Sequence, residues 1–413
     1  MTLTGVRPGA VAVLAAMAFL GAACTEETGT SEPGRGAEDV RGAEDVASGE
    51  PIRIGFVSDG ASAVSDNTVE IDVAEATVAY LNERRAGLAG RPIELVTCTT
   101  EAEPAKATDC GNQMVEAGVP AVLIGSSAVL EGVWEPLHDA GIPTFFTGAS
   151  SPNVVDDTES TFLISDGIAG IIDVPINAAL DADLDRVTVV VIDVPATVAV
   201  FEGENTERFA DAGLELELIR VPFGTADMTP QLQDAVSGDA GLVHIVGNDT
   251  FCISAFQALH ALAFDGPITV IPQCLSGATR EAVVLEQLEG VLVGSPVPAG
   301  VEDETTELFR TVVETYGSGI DTSRTTAHSA FVLTAAFREA LDGITDVTAA
   351  NVIATAKAMP DLELPGGGGL HFRCDGTAGT QPADCVRGTL LATLGPDGLP
   401  TSYEPSSSEP IGD

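Results

Sequence analysis

The chain has 413 residues, of which 62 are acidic and 18 basic, giving a formal net charge of −44, and 45% of its residues are hydrophobic. Length and apolar content are enough for two sizeable cores. The charge excludes nucleic acid and anionic lipid surfaces as partners of the folded part, because phosphate binding rests on Lys and Arg, and it predicts a fold whose self-repulsion is relieved by salt.

In chain order, residues 1–23 read as an export signal: Arg7 gives a weak positive start, Val11 to Leu20 is apolar but too short to span a bilayer, and Gly21, Ala22 and Ala23 precede Cys24. The segment resembles a lipoprotein signal, in which the cysteine after the cleavage point is acylated. It carries Gly21 where such signals usually have Leu, with Leu20 one place earlier, and an ordinary secretory signal is the alternative. Residues 24–50 hold almost no bulky apolar side chain and repeat Arg35-Gly-Ala-Glu-Asp-Val40 as Arg41-Gly-Ala-Glu-Asp-Val46. Such a segment is expected to be a disordered acidic linker, reaching roughly 25–30 Å from its anchor.

From Pro51 onward strands and helices alternate. Strands are expected at 52–58, 93–98, 121–124, 144–147 and 161–164, with helices at 69–82, 105–117 and from Ser126 or Ser127 to Gly141. The pattern then restarts near Ser165, with helices at 168–180, 201–212, 229–236 and 252–263 and strands at 187–192, 214–220, 242–246, 268–271 and 291–295. Further helices are expected near 304–316 and 325–341, and Gly366 to Gly369 is a flexible break before the last strands. Short apolar runs separated by helices of this length imply parallel α/β sheets.

Two neighbouring strands, 121–124 and 144–147, each run into a Ser-Ser pair, Ser126-Ser127 and Ser150-Ser151. In open α/β sheets ligands bind outside the carboxyl ends of strands, where a helix N-terminus can receive an anionic group. The same serines are also ordinary helix caps.

Apart from Cys24, six cysteines remain, in three local pairs: Cys98 with Cys110, Cys252 with Cys274, and Cys374 with Cys385. An even set in an exported chain predicts disulfides. Cys252 and Cys274 each follow strands expected to be neighbours, which favours local pairing. No Cys-x-x-Cys or Cys/His spacing indicates a metal site. Nor is there a nucleophile elbow, His-Glu-x-x-His pair, phosphate loop or dinucleotide fingerprint, so neither catalysis nor a cofactor is expected.

Taken in order, Ile52-Arg-Ile-Gly-Phe-Val-Ser58, the pair Cys98 and Cys110, Ile124-Gly-Ser-Ser127, Thr147-Gly-Ala-Ser-Ser151 and Gly369-Leu-His-Phe-Arg-Cys-Asp-Gly376 resemble the solute-binding receptors of ABC importers, in the leucine/isoleucine/valine-binding and amide-binding group. The resemblance implies a type I periplasmic-binding fold: two doubly wound, Rossmann-like α/β lobes joined by three crossings near Ile164, Ser295 and Gly369. The N-terminal lobe would comprise 51–164 and 296–368, the C-terminal lobe 165–295 and 369–403, with 404–413 a flexible tail.

Carried over by position, Ser126, Ser127, Ala149, Ser150 and Ser151 match the residues that hold a ligand's α-carboxylate. The second lobe departs from the pattern, with Asp193 where the amino-acid receptors place tyrosine and neutral Gln273 where an acid meets the α-ammonium. Asp59 or Asp249 is the candidate substitute for that acid, and Phe251 a candidate apolar wall or core residue. The implied role is capture of a small solute (an amino acid, amide or similar carboxylate) by a monomer held to the extracytoplasmic face of the membrane by a lipid, for delivery to ABC permease subunits. A ligand-sensing domain acting with a signalling partner is the alternative.

Overall fold

The computed structural model describes residues 44–62, 66–236, 241–302, 304–406 and 411. The expected signal peptide, Cys24 and the linker up to residue 43 lie outside the described residues. The end of that linker is not disordered: Asp45 N and Ala47 N donate to Glu83 O and Asn82 O at 3.1 and 2.7 Å, and Ser48 N to Gly90 O at 3.0 Å.

The first half of the fold runs β1 (Ile52–Ser58), α1 (Val69–Arg84), β2 (Ile93–Thr99), α2 (Pro104–Ala117), β3 (Val122–Ile124), α3 (Leu130–Asp139), β4 (Thr144–Phe146), α4 (Pro152–Val155) and β5 (Thr161–Leu163). Its strands form one parallel sheet in the order β2-β1-β3-β4-β5. Strands β3, β4 and β5 are buried throughout, as continuous apolar runs covered on both faces must be.

A π-helical turn, Ala169–Asp173, opens the second half, followed by α5 (Val174–Asp181), β6 (Arg186–Ile192), α6 (Pro195–Ala199), α7 (Glu204–Asp211), β7 (Glu215–Val221), α8 (Thr229–Val236), β8 (Leu242–Val246), α9 (Asp249–Ala261), β9 (Ile268–Val270), α10 (Gly277–Ala282) and β10 (Leu292–Ser295). Then come α11 (Glu304–Tyr316), α12 (Thr325–Ala340), α13 (Ala349–Ala358), a hairpin of β11 (Leu362–Glu363) and β12 (His371–Phe372), and β13 (Leu390–Thr393) and β14 (Glu404–Pro405). The second sheet has the order β14-β13-β10-β9-β8-β6-β7, in which β13 runs antiparallel to both its neighbours, β10 and β14. Its parallel part, β7-β6-β8-β9-β10, repeats the strand order of the first sheet.

Helices α11 and α12 return to pack on α1, and Phe337 of α12 meets Phe145 of β4 edge-on at 5.1 Å between ring centroids. Later, Leu163 N donates to Ala383 O at 2.9 Å and Cys385 N to Leu163 O at 2.8 Å, so the chain around Asp384 runs beside β5. Three disulfides are present, Cys98–Cys110, Cys252–Cys274 and Cys374–Cys385, with Cα separations of 5.7, 5.3 and 4.3 Å.

Three expectations need correction. Helix α3 begins at Leu130 rather than at Ser126 or Ser127, and no side chain caps it. The helix expected over 201–212 is broken by Gly203, whose φ of +61° is a left-handed conformation that glycine adopts without a Cβ clash. The tail is held as far as Ser406, whose N–H donates to Thr389 O at 2.7 Å, and Ile411 is buried, its carbonyl accepting from Arg373 Nη1 at 3.2 Å.

Candidate ligand-binding site

Both sheets reverse their winding direction at one point, between β1 and β3 in the first and between β6 and β8 in the second. The loops after these strands therefore diverge and leave a crevice at the carboxyl edge, the position at which open α/β sheets hold ligands. In the first sheet those loops carry Asp59 and Ser126-Ser127, and the loop after β4 carries Ala149, Ser150 and Ser151. In the second they carry Asp193 and Asn248-Asp249.

The first sheet's edge is held by carboxylates. Glu70, in the first turn of α1, is fully buried. It accepts from Ser58 Oγ at 2.5 Å, from Ser126 Oγ at 2.7 Å and from Ser126 N at 3.0 Å. Gly125 makes this approach possible, since a Cβ there would lie 2.7 Å from a Glu70 oxygen. Burial pushes the Glu70 carboxyl above its ordinary range; the bonds from Ser58 and Ser126 oppose the shift, and the neighbouring Asp59 charge adds to it.

Asp59 is also buried, at 2% exposure. It accepts from the Thr100 hydroxyl, from Ser127 Oγ at 2.9 Å and from Ala128 N at 2.8 Å. A residue read as a candidate partner for a ligand ammonium thus fastens the loops after β1, β2 and β3 to one another. Ser127 Oγ in turn accepts from Val129 N at 3.2 Å. One loop further on, Ser151 Oγ donates to Glu131 Oε1 at 2.5 Å, and Asn153 Nδ2 donates to the same oxygen at 2.9 Å. Ala149 is half-buried and Ser150 exposed beside them.

The second sheet's candidates are more scattered. Asp193 and Gln273 are exposed. Asp249 accepts locally from Thr250 N at 2.7 Å, and the cap of α9 is Asn248, which accepts from Phe251 N at 3.0 Å. Phe251 is 5% exposed and packs in the core beneath Gly247, whose added Cβ would fall 2.4 Å from the ring. Two surface hollows of about 320 and 350 Å³, one by Gly87 and Arg338 and one by Asp166 and Arg387, involve none of these residues.

Glu70 and Glu131 escaped the sequence reading. An acid in the first turn of a helix is ordinarily a solvated complement to the helix dipole. The available signal was phase: Glu70 lies in register with Val73, Ala74, Thr77 and Leu81, all on the buried face.

A family model described as periplasmic binding protein matches residues 51–389. No curated protein matches the chain. Among solved structures, an extracellular ligand-binding receptor from Verminephrobacter eiseniae is 14% identical, with a TM-score of 0.70 over 85% of this chain and 99% of its own. An ABC transporter substrate-binding protein from Sphaerobacter thermophilus is 20% identical, with a TM-score of 0.69 over 88% and 98%. Another, from Desulfitobacterium hafniense in complex with Leu, is 19% identical, with a TM-score of 0.67 over 86% and 100%. At these identities the likeness is one of fold. The family match spans the first sheet, the parallel part of the second and the loops at their carboxyl edges, and this chain therefore belongs to the periplasmic binding protein family, with its two-lobed α/β fold.

Proposed function

We propose that this protein is the solute-binding component of an ABC importer, acting outside the cytoplasm and without catalysis. The observation that carries the reading is the repeated strand order, which sets two winding-reversal points at carboxyl edges, one lined by the serines after β3 and β4. A small solute would be taken up between the lobes, which close over it by hinge motion before docking on a permease. Acylation of Cys24 would hold the protein at the membrane surface through the acidic linker. No helix among the described residues is long and apolar enough to cross a membrane.

We assign 51–164 and 296–386 to the N-terminal lobe, supported by the packing of α11 and α12 on α1. The third crossing is better taken near Arg387 than at Gly369, because the hydrogen bonds of residues 383–385 to β5 belong with the first sheet. The test is thermal unfolding of the full chain against a panel of amino acids, amides, amines and small organic acids. A ligand specific to the folded state raises stability by ~2.7 kcal/mol at a hundredfold excess over its dissociation constant. One chemical class of hits supports solute capture; no response from any class would refute it.

A further inference from the structure

Two buried carboxylates meet where the chain passes between the lobes. Asp166, 6% exposed, lies on the first crossing, just past β5. Its Oδ1 accepts from Ala169 N at 3.0 Å and its Oδ2 from Thr380 Oγ1 at 3.1 Å and Gly388 N at 3.3 Å, which ties the first crossing to the third. Thr389 Oγ1 donates to Ser295 O at 2.9 Å and ties the third to the second. Asp384 stands at the head of the third crossing, between the two residues that fasten it to the first lobe: Ala383 O accepts from Leu163 N, and Cys385 N donates to Leu163 O. Any opening that frees this ladder therefore carries Asp384 into water.

Only one Asp384 oxygen is satisfied. Oδ2 accepts from Gln381 N at 2.7 Å, whereas Oδ1 has no partner among the described residues, in a side chain 1% exposed. A neutral carboxyl tolerates such a place far better than a charged one set near a second acid. Burial and the Asp166 charge accordingly push it up to about 8. The other charged groups around the pair come from four elements. Asp173 of the π-helical turn is ion-paired with Arg208 of α7, whose charge also favours ionised Asp166. Asp156 follows Val155 at the end of α4, where Val155 O accepts from Ala383 N. On the segment of Asp384 itself, Arg387 Nε donates to Ala378 O at 3.1 Å, and Arg373 faces Asp375 at 2.8 Å and Thr377 at 2.9 Å. The hollow of about 350 Å³ bounded by Asp166, Thr380, Arg387 and Gly388 opens the Asp166 side to solvent, a route by which a proton exchanges without unfolding.

We propose that Asp384 and Asp166 form a proton-operated latch at the hinge: while the pair holds one proton the third crossing stays fastened along β5, and opening the fastening releases that proton, so that rising pH loosens residues 383–388. The consequence for uptake rests on the solute-capture reading above, in which lobe closure then follows pH.

The test is hydrogen exchange of the full chain, without ligand, at pH 5, 6, 7 and 8, corrected for the intrinsic pH dependence of amide exchange. The amides of Leu163, Cys385 and Gly388 are expected to exchange faster than those of β3. Their opening constant should rise about tenfold per pH unit from pH 5 to pH 7, because the opened carboxyl ionises at its ordinary value, and level off above about 8. Asp384→Asn, similar in shape and unable to ionise, should abolish the rise. Asp166→Asn, which removes the neighbouring charge, should keep the rise but move its plateau to lower pH.

The proposal is overturned if the opening is independent of pH in the wild type, or if Asp384→Asn keeps the rise. It is overturned equally if the three amides exchange only together with β3, by global unfolding. No solute enters the measurement, so solute capture is untouched by either result and is judged by the ligand panel.

Discussion

Replacing Asp384 with Asn isolates one buried acid and gives a sharp test of the electrostatics between the two sheets. Asp384 is 1% exposed and sits beside Leu163 at the end of β5. Its Oδ1 has no hydrogen-bond partner among the described residues, and its Oδ2 accepts from Gln381 N at 2.7 Å. Burial first, and the nearby Asp166 charge second, push its carboxyl up to about 8. Asp166 itself is raised by burial, even though it accepts from Ala169 N, Gly388 N and Thr380 Oγ and so fastens the chain leaving β5 to the chain entering β13.

A folded-state value above the unfolded one means that the folded protein keeps a proton which the unfolded chain has shed. The associated stability is complete below the unfolded value and is lost as pH rises through about 8. From pH 7 to pH 8 the wild type should lose about 1 kcal/mol from this group alone, equivalent to roughly 1–2 °C in a domain of this size. Asp384→Asn, similar in shape and unable to ionise, should not. Urea unfolding of both proteins at the two pH values measures the difference, and because the histidines titrate alike in both they cancel. Parallel pH dependences for wild type and variant would refute the reasoning.

His328 is buried, stacks on Phe309 at 4.3 Å, and has its pKa lowered by burial to about 4. The unfolded chain therefore gains a proton below pH 6.5 that the fold refuses. His328→Gln, which keeps a donor toward Gly366 O, should make the fall in stability between pH 6 and pH 4.5 shallower by up to ~1.4 kcal/mol per unit, and an unchanged acid limb would contradict this. Replacing both Cys252 and Cys274 with Ala opens a loop of 22 residues and should cost ~3 kcal/mol in denaturant unfolding, whereas a loss below about 1 kcal/mol would mean that packing of α9 alone sets that region's stability. With a net charge of −44, the unfolding midpoint should rise with sodium chloride over the range that shortens the Debye length, and a midpoint independent of salt would show that self-repulsion does not limit the fold.

The parallel strands were legible because a strand covered on both faces must be apolar along its length, as in Val122-Leu-Ile124 and Thr144-Phe-Phe146. The start of α3 was not, because the serines read as caps turn their hydroxyls to Glu70 and Asp59, partners 56 and 68 residues away in sequence. Local pattern carries no information about such distant partners. Helix α13 went unread, and β11, β12 and β14 are too short for periodicity to register, being defined by their pairing. The strand ends that carry the serines could be read from the sequence, but the hydrogen bonds of Ser126 and Ser127 run to Glu70 and Asp59, two acids that sequence spacing does not mark as neighbours.

The three disulfides close spans of only 12, 22 and 11 residues. A chain emerging from an export channel would expose each pair almost together, so the bridges can close one after another in the order of synthesis, with no cysteine waiting for a partner still inside the cell. Oxidative maturation of this protein would then need an oxidant but little help from an isomerase.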